Sequence, residues 1–347
     1  MGIDYRRRYP DFYTENTPFV MWVNKYTPGV DRVIDSGRLF ARGYLGPNAT
    51  TYGTIYALNQ TDPRSVANSL APSDLCPNYN DNGGGDYATT WADIYLPPIA
   101  DRINTLLTGL EFNTSDVNIF PYLCGYETQI TGTRSPWCSV FTEQEIAAYE
   151  YAQDIRYWYG TGLGTDLEKN LMLPFLSQII QTFVNGPNTT YPQADNSTFA
   201  PNPLTATFAN DGQISQLAAG LGVFDDQPDL PSTHILHNRT YRSTNVNPMR
   251  GTINFERMNC GRDEQGEGGE LFMRIKLNDA VYPVAHCQSG PGRSCPLGEY
   301  QELIEGKLEA FGGWFEECGV PEGTPKGVEA ENTFLTELVP WAEVVRP

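Results

Sequence analysis

The chain has 347 residues, of which 40% are apolar, and this is enough for one large or two moderate hydrophobic cores. Its 42 Asp and Glu residues outnumber its 23 Lys and Arg residues. The resulting net charge of -19 argues against a nucleic acid or an anionic membrane surface as a partner. No apolar run approaches the length of a transmembrane helix, so we expect no membrane partner.

The N-terminal part of the chain predicts a helix followed by a loop. Apolar residues recur at helical spacing from Arg32 to Tyr44, and this helix should end near Gly43. Residues 60–90 are polar and include the triple glycine Gly83-Gly84-Gly85, which lacks the spacing and the Lys of a phosphate-binding loop. This stretch therefore predicts a linker into a different module.

The middle of the chain is predicted to be mainly helical. Apolar residues at helical spacing follow Pro97-Pro98, so a helix is expected to begin at these prolines. Thr142 and Glu145 have the spacing of a capping box, which predicts a helix that runs to Gly160.

A second capping box, Thr165 with Glu168, precedes an apolar helix predicted over residues 167–183, which Pro174 should kink. Packing between helices is the favoured role for the aromatic residues of the preceding helix. These residues are Tyr149, Tyr151, Tyr157, Trp158 and Tyr159.

Strand patterns return after a polar run at residues 186–203. Alternating residues 252–258 predict a strand, and residues 271–277 and 280–284, joined by Asn278-Asp279, predict an antiparallel hairpin. Residues 300–311 predict an amphipathic helix.

Strand and helix patterns at both ends of the chain enclose this helical middle. The order predicts an α/β fold in which residues 1–60 and 200–347 form one discontinuous domain. Residues 61–199 would then form an inserted α-helical cap domain.

Cysteines and glycosylation acceptors predict a secreted, disulfide-bonded glycoprotein. The six Asn-x-Ser/Thr acceptors are Asn48, Asn59, Asn113, Asn188, Asn196 and Asn238. The first residues lack the regions of a signal peptide, so we expect an N-terminal segment that this sequence does not contain. Seven cysteines also leave one thiol unpaired in an oxidising compartment.

The segment Phe208-Ala209-Asn210-Asp211-Gly212 carries the clearest chemical signal. An extended apolar pattern precedes it from Leu204, and a helical pattern follows it from Ile214. Asp211 therefore lies where a strand passes into a helix. A catalytic acid and a helix N-cap are both open for this residue, and the two roles are compatible.

Flanked in this way, the segment resembles the His-Asp motif of the secreted fungal histidine acid phosphatases, the family that includes the phytases. Further similar segments occur in the family's order at Gly2–Tyr9, Pro18–Phe19, Arg32–Gly43, Pro136–Gly160, Thr207–Gly222, Pro248–Cys260, Leu277–Val284 and Cys287–Leu297. The resemblance implies a phosphoglycerate-mutase-like α/β domain with a helical cap. It also implies an active site in the cleft between them, and no cofactor or metal.

The resemblance further implies a chemistry. In the family, a His attacks phosphorus to form a phosphohistidine, arginines hold the phosphate, and the Asp of His-Asp protonates the leaving alcohol and then activates water. Asp211 matches that proton donor, and Asn210 takes the place of the phosphate-binding His with an amide that carries no charge. Arg32 matches a phosphate-binding arginine, although a surface ion pair on a helix is the alternative.

The nucleophile motif of the family, Arg-His-Gly-x-Arg-x-Pro, does not occur in residues 1–347. No other histidine lies beside an arginine-rich motif, so none is expected to serve as the nucleophile. These histidines are His234, His237 and His286.

By the same resemblance, the cysteines would pair as Cys124–Cys138, Cys287–Cys295 and Cys76–Cys318. Each of the first two pairs also closes a short loop rich in small residues and proline. Cys260 would remain unpaired, because its partner in the family lies upstream of Met1.

Two functional hypotheses follow. In the first, the sequence belongs to an incomplete phosphomonoester hydrolase of acid phosphatase or phytase type, which acts on small phosphate monoesters or phytate and could be an oligomer. In the second, it is a non-catalytic secreted relative that binds phosphate or inositol phosphate. Incompleteness accounts for the missing motif, the missing signal and the odd cysteine count, but it does not account for Asn210. We expect the chain as given to be inactive.

Overall fold

A computed structural model describes residues 1–25, 31–60, 62, 65–82, 84–261, 268–324, 333–338 and 342–347. The α-helices are α1 (Gly2–Arg8), α2 (Arg32–Leu45), α3 (Ala49–Tyr52), α4 (Gly85–Asn104), α5 (Thr114–Thr131), α6 (Glu143–Thr161), α7 (Leu173–Asn185), α8 (Asp211–Gly220), α9 (Ser243–Val246), α10 (Leu297–Phe311) and α11 (Trp314–Glu317). The strands are β1 (Phe19–Lys25), β2 (Gly53–Asn59), β3 (Tyr191–Pro192), β4 (Thr198–Phe199), β5 (Ala206–Phe208), β6 (Ile253–Cys260), β7 (Glu270–Leu277), β8 (Ala280–Val281), β9 (Cys295–Pro296) and β10 (Glu343–Val345).

The main sheet has the strand order β10-β2-β1-β5. β1 pairs in parallel with both β2 and β5, whereas β10 runs antiparallel to β2. The carboxyl ends of the three parallel strands, at Lys25, Asn59 and Phe208, therefore meet at one edge of the sheet. α2 and α8 begin just beyond this edge, which is where open α/β sheets bind their ligands.

α2 packs closely on the sheet. Met21 in β1 lies opposite Ile55 in β2 and Ala206 in β5, and it is fully buried. A Cβ atom added to Gly37 would lie 2.8 Å from Cγ1 of Val23, so the absence of a side chain at Gly37 permits the close approach of helix to strand. The amphipathic helix predicted over residues 32–44 is confirmed.

The segment between β2 and β5 contains α4 to α7. In α6, the Thr142 hydroxyl accepts a hydrogen bond from the Glu145 amide at 3.2 Å, and the Glu145 carboxylate accepts one from the Thr142 amide at 2.8 Å. The predicted capping box is thus confirmed. The division into two domains stays a prediction.

A buried ion-pair network fastens α6 to the loop that precedes α9. Nε of Arg239 lies 2.6 Å from Oδ2 of Asp154, and its Nη2 lies 3.1 Å from Glu150. The Ser243 amide and hydroxyl both donate to Oδ1 of Asp154, at 2.6 and 2.8 Å. Only 2% of the Arg239 side chain and none of Asp154 is exposed.

A second sheet contains the hairpin that the sequence predicts over residues 271–277 and 280–284. β7 pairs antiparallel with both β6 and β8, and Asn278-Asp279 forms the turn between β7 and β8. Asn278 has a φ of 55°, a left-handed conformation that asparagine tolerates in tight turns. The hairpin prediction is confirmed.

Two predictions about prolines are wrong. α4 begins at Gly85, twelve residues before Pro97, because Trp91, Tyr95 and Ile99 form a buried stripe that continues through the prolines. Pro174 lies in the first turn of α7 and does not kink it, since the amide that proline lacks would have no helical partner there.

The structure contains the disulfides Cys76–Cys318, Cys124–Cys138 and Cys287–Cys295, and Cys260 is a free cysteine. Across the described ranges, no helix combines the length and the apolar character that are required to cross a bilayer.

Candidate active site

The N-terminus of α8 places Asp211 at the carboxyl edge of the main sheet. Asn210 has extended backbone angles, φ -82° and ψ 169°, and its carbonyl accepts the first helical hydrogen bond from Ile214 at 3.1 Å. Asn210 is therefore the N-cap, and Asp211 is the first helical residue, so the N-cap reading of Asp211 is wrong. The Asp211 side chain is exposed, and the helix dipole favours its negative charge.

Tyr157, near the C-terminal end of α6, holds the Asp211 carboxylate. Its phenolic oxygen donates a hydrogen bond to Oδ2 of Asp211 at 2.6 Å. Burial, and then the hydrogen bond to Asp211 and its charge, raise the pKa of the Tyr157 phenol. Tyr157 therefore stays protonated, and able to donate, at acidic and neutral pH. Sequence patterns predict only a packing role for Tyr157, because no local signal marks a contact across 54 residues.

Two amide side chains in the first turn of α8 carry buried oxygens that have no hydrogen-bond partner among the described residues. These are Oδ1 of Asn210 and Oε1 of Gln213. The Gln213 amide nitrogen instead donates to the Ser73 hydroxyl at 3.3 Å, which brings the loop that precedes α4 to this turn. Buried polar groups normally find partners, so this turn offers hydrogen-bonding capacity to a ligand or to water.

Asp74 follows Ser73, the residue whose hydroxyl contacts Gln213, and it is a second carboxyl group with a perturbed pKa in this part of the chain. Burial, and then the charge of Asp81, raise the pKa of Asp74 to about 6. Its side chain nevertheless reaches solvent. The Asp74 carboxyl thus gains or loses its charge in the mildly acidic range.

Two exposed arginines lie on helices that pack against β5 or α8. Arg32 is the first residue of α2, is exposed, and follows the carboxyl end of β1, the strand beside β5. Residues 26–30, which connect β1 to α2, lie outside the described part of the chain. The exposed Arg156 lies with its guanidinium carbon 5.4 Å from the centre of the Tyr157 ring. The sequence predicted a role for Arg32 but not for Arg156.

The histidines lie on exposed loops. His234 contacts Thr233, and His286 contacts Asp226 at 2.8 Å. Ala285, beside His286, bonds to Gly222, which follows the C-terminal end of α8. A ten-residue helix is about 15 Å long, so His286 lies far from the end that carries Asp211.

Five of the six predicted glycosylation acceptors have exposed side chains: Asn59, Asn113, Asn188, Asn196 and Asn238. Asn48 is half-buried, and its amide donates to Asn16 at 3.2 Å. Asn113 also caps α5, because its side-chain oxygen accepts a hydrogen bond from the Asp116 amide.

Comparison with known proteins identifies the family of this chain. The family model for the histidine phosphatase superfamily (branch 2) matches residues 1–278. Acid phosphatase PHO1 of Komagataella pastoris is 31% identical over 301 residues, which cover 86% of this chain and 60% of that protein. Phytase PHO112 of Candida albicans is 27% identical over 334 residues, which cover 96% of this chain and 66% of that protein.

The chain thus spans 60% and 66% of the lengths of these two relatives. The crystal structure of the phytase from D. castellii superposes with a TM-score of 0.80 at 24% identity, covering 94% of this chain and 66% of that one. This match shows a shared fold and confirms the predicted α/β architecture. The resemblance noted in the sequence is confirmed as well: the chain belongs to branch 2 of the histidine phosphatase superfamily.

Proposed function

We propose that the residues at the start of α8, together with Arg32, form part of the active site of a phosphomonoester hydrolase of acid phosphatase or phytase type. This part contains the general acid. Asp211 is the proton donor, and Arg32 binds the phosphate. The observation that carries the proposal is the Asp211 carboxylate at the N-terminus of α8, held by Tyr157 at the carboxyl ends of the parallel strands. This is the edge at which open α/β sheets bind ligands.

We infer that the site lies in a cleft between the α/β part, residues 1–60 and 200–347, and an inserted helical domain, residues 61–199. The contact from Tyr157 in α6 to Asp211 in α8 supports this arrangement, because it joins the two parts across the site. The contact between Gln213 and Ser73 joins them a second time.

In this proposal the two oxygens of Asp211 have different roles. Tyr157 occupies Oδ2, so Oδ1 is the oxygen available to protonate the leaving alcohol. Once it has lost that proton, the carboxylate accepts one from the water that hydrolyses the phosphoenzyme. Asn210 donates an amide hydrogen bond to the phosphate in place of a charged His, so it holds a dianion less strongly.

Acidic conditions favour this chemistry for an electrostatic reason. The chain has a net charge of -19, and Asp74 follows Ser73, whose hydroxyl contacts Gln213 in the first turn of α8. Because the pKa of Asp74 is raised to about 6, its carboxyl group is neutral at more acidic pH. Its repulsion towards a phosphate group is then removed.

The substrate class is proposed from the relatives, which are named acid phosphatase and phytase. We propose small phosphate monoesters, phytate included, as the ligands, and secretion as the fate of the glycosylated protein. Residues 1–347 do not contain the nucleophile motif Arg-His-Gly-x-Arg-x-Pro, so by themselves they bind phosphate esters without turning them over.

Amide NMR during a titration with inorganic phosphate at pH 5 tests the site. The amide signals of residues 210–213 should shift and saturate. Arg32→Gln should weaken this binding about tenfold or more, because it removes a charge-assisted hydrogen bond. Arg134→Gln, at an exposed arginine outside the site, should leave it unchanged. No shift at residues 210–213, or equal affinity of the Arg32→Gln variant, would exclude the assignment.

A further inference from the structure

A second concave surface lies on the outer face of α2, and we name it the amino-edge pocket. Its volume is about 460 Å³. It is lined by Asp35, Arg38, Leu39, Arg42, Arg346 and Pro347. Neither Asp211 nor any other residue of the candidate active site contributes to it.

Local structure explains why three guanidinium groups meet there. Arg38 and Arg42 are four residues apart in α2, so their side chains lie on one face of the helix. Arg346 follows β10, and its Nη1 donates to the Gly53 carbonyl and to the Thr54 hydroxyl, each at 2.9 Å. These two bonds fix the Arg346 guanidinium and leave its other N–H groups available.

The pocket is positively charged in a strongly acidic protein. Its side chains carry three positive charges and the single negative charge of Asp35. In residues 1–347 the main-chain carboxylate of Pro347 adds one negative charge, so the lining has a net charge of +1, whereas the side chains of the whole chain sum to -19. Asp35 pairs with Arg38 at 3.0 Å. No described carboxylate forms an ion pair with Arg42, which is exposed.

A purely structural role explains only part of this cluster. Arg42 lies in the last turn of α2, where a cation complements the helix dipole. One cation is enough to complement the helix dipole, and this role requires neither Arg346 nor a concave surface. Three arginines around one cavity also repel one another, and an anion between them would relieve that repulsion.

The amino-edge pocket lies at the opposite edge of the sheet from the candidate active site. Arg346 binds Gly53, the first residue of β2, whereas Asp211 follows the carboxyl end of β5, which has the same direction as β1 and β2. Seven residues of β2 span about 23 Å. A ligand in the pocket therefore cannot contact the Asp211 carboxylate.

We propose that the amino-edge pocket is a second anion site, which binds inorganic phosphate or the phosphate group of a small ester. The planar guanidinium groups of Arg42 and Arg346 each present parallel N–H donors that match two oxygens of a tetrahedral anion. The site is independent of the chemistry at Asp211.

Two amides report on the pocket: that of Gly46, the C-cap of α2, which donates to the Arg42 carbonyl, and that of Gly53, whose carbonyl accepts from Arg346. The test follows both signals during titrations with inorganic phosphate and, separately, with glycerol 2-phosphate. Chloride keeps the ionic strength constant, so that general screening does not mimic binding. Both signals should shift and saturate at millimolar ligand. Arg42→Gln should weaken the binding about tenfold or more, and Arg42→Lys, which keeps the charge, should weaken it less.

The controls separate this site from the active site. Arg32→Gln should leave the Gly46 and Gly53 titration unchanged, while Arg42→Gln should leave the titration of residues 210–213 unchanged. The more tightly bound of the two ligands identifies the natural ligand chemistry. The proposal is overturned if Gly46 and Gly53 show no saturable shift, if Arg42→Gln has no effect, or if Arg134→Gln weakens binding as much as Arg42→Gln does.

Discussion

The phenol of Tyr157 and the carboxylate of Asp211 are joined by a 2.6 Å hydrogen bond between the C-terminal end of α6 and the N-terminal end of α8. One partner belongs to the helical middle of the chain, and the other begins the helix that follows strand β5. The bond therefore fixes the proposed proton donor and also connects two structural layers across the proposed cleft.

A double-mutant cycle should detect the coupling between these two residues. Tyr157→Phe and Asp211→Asn should each destabilise the fold slightly, and the loss in the double variant should be smaller than the sum, with a coupling free energy of about 1 kcal/mol. This value allows for the solvent exposure of Asp211. Denaturant unfolding of the four proteins provides the measurement. Tyr149→Phe, on the same helix, is the control and should be additive with Asp211→Asn.

Asp74 should make stability depend on pH. Its pKa is raised from 3.8 to about 6 in the folded protein, so the folded state binds the proton more tightly than the unfolded state does. Its contribution to stability is therefore present below pH 3.8 and is lost as the pH rises through about 6.

Asp74→Asn should accordingly gain stability relative to the wild type between pH 4 and pH 7, which urea unfolding at a series of pH values measures. Asp81→Asn removes a charge that helps to raise the pKa of Asp74, so the loss of stability with rising pH should end at a lower pH. If Asp74→Asn and the wild type had parallel pH profiles, the raised pKa of Asp74 would be refuted.

Breaking the ion-pair network around Asp154 should cost more unfolding free energy than breaking any other described ion pair outside the site. Arg239→Ala leaves the Asp154 carboxylate buried without its charged partner, and this should cost about 3–5 kcal/mol of unfolding free energy. Lys169→Ala breaks the exposed ion pair with Asp166 and should change stability by no more than about 0.5 kcal/mol. Chemical denaturation compares the two, and similar losses would argue against the buried network.

Cys260 should be the single reactive thiol. It is half-buried at the end of β6, whereas the other six cysteines form three disulfides. Titration of thiols under denaturing, non-reducing conditions should give one equivalent per chain, and Cys260→Ser should abolish it. A peptide map in which Cys260 is bonded to any of the other six would overturn the assigned pairing.

Local patterns in the sequence were sufficient for much of the fold. The apolar spacing of α2, the box of Thr142 with Glu145, and the turn at Asn278 each depend on neighbouring residues, and each appears as predicted. The start of α4 differs from the prediction. Local rules place it at Pro97, whereas tertiary burial of Trp91 and Tyr95 stabilises a helix that begins earlier, at Gly85.

The site was only partly predictable for the same reason. Asp211 was found from the passage of a strand into a helix, which is a local signal. Tyr157 reaches Asp211, and Ser73 reaches Gln213, through tertiary contacts that no spacing in the sequence records.

The role of Asp211 as a proton donor is tested most directly by how activity depends on the leaving group. Residues 1–347 alone should release no phosphate from p-nitrophenyl phosphate or from glycerol 2-phosphate, because leaving-group protonation contributes only about 10²–10⁴-fold to a reaction that needs far more. The same residues preceded by an Arg-His-Gly-x-Arg-x-Pro segment, and carrying Asn210→His, should hydrolyse both esters.

In that active protein, Asp211→Asn should lower kcat on glycerol 2-phosphate by about 10²–10⁴-fold, because an alkoxide leaves poorly without a proton. The loss on p-nitrophenyl phosphate should be much smaller, since nitrophenolate leaves readily by itself. Equal losses on the two esters, or turnover by residues 1–347 that Asp211→Asn does not change, would contradict the assignment of Asp211 as the proton donor.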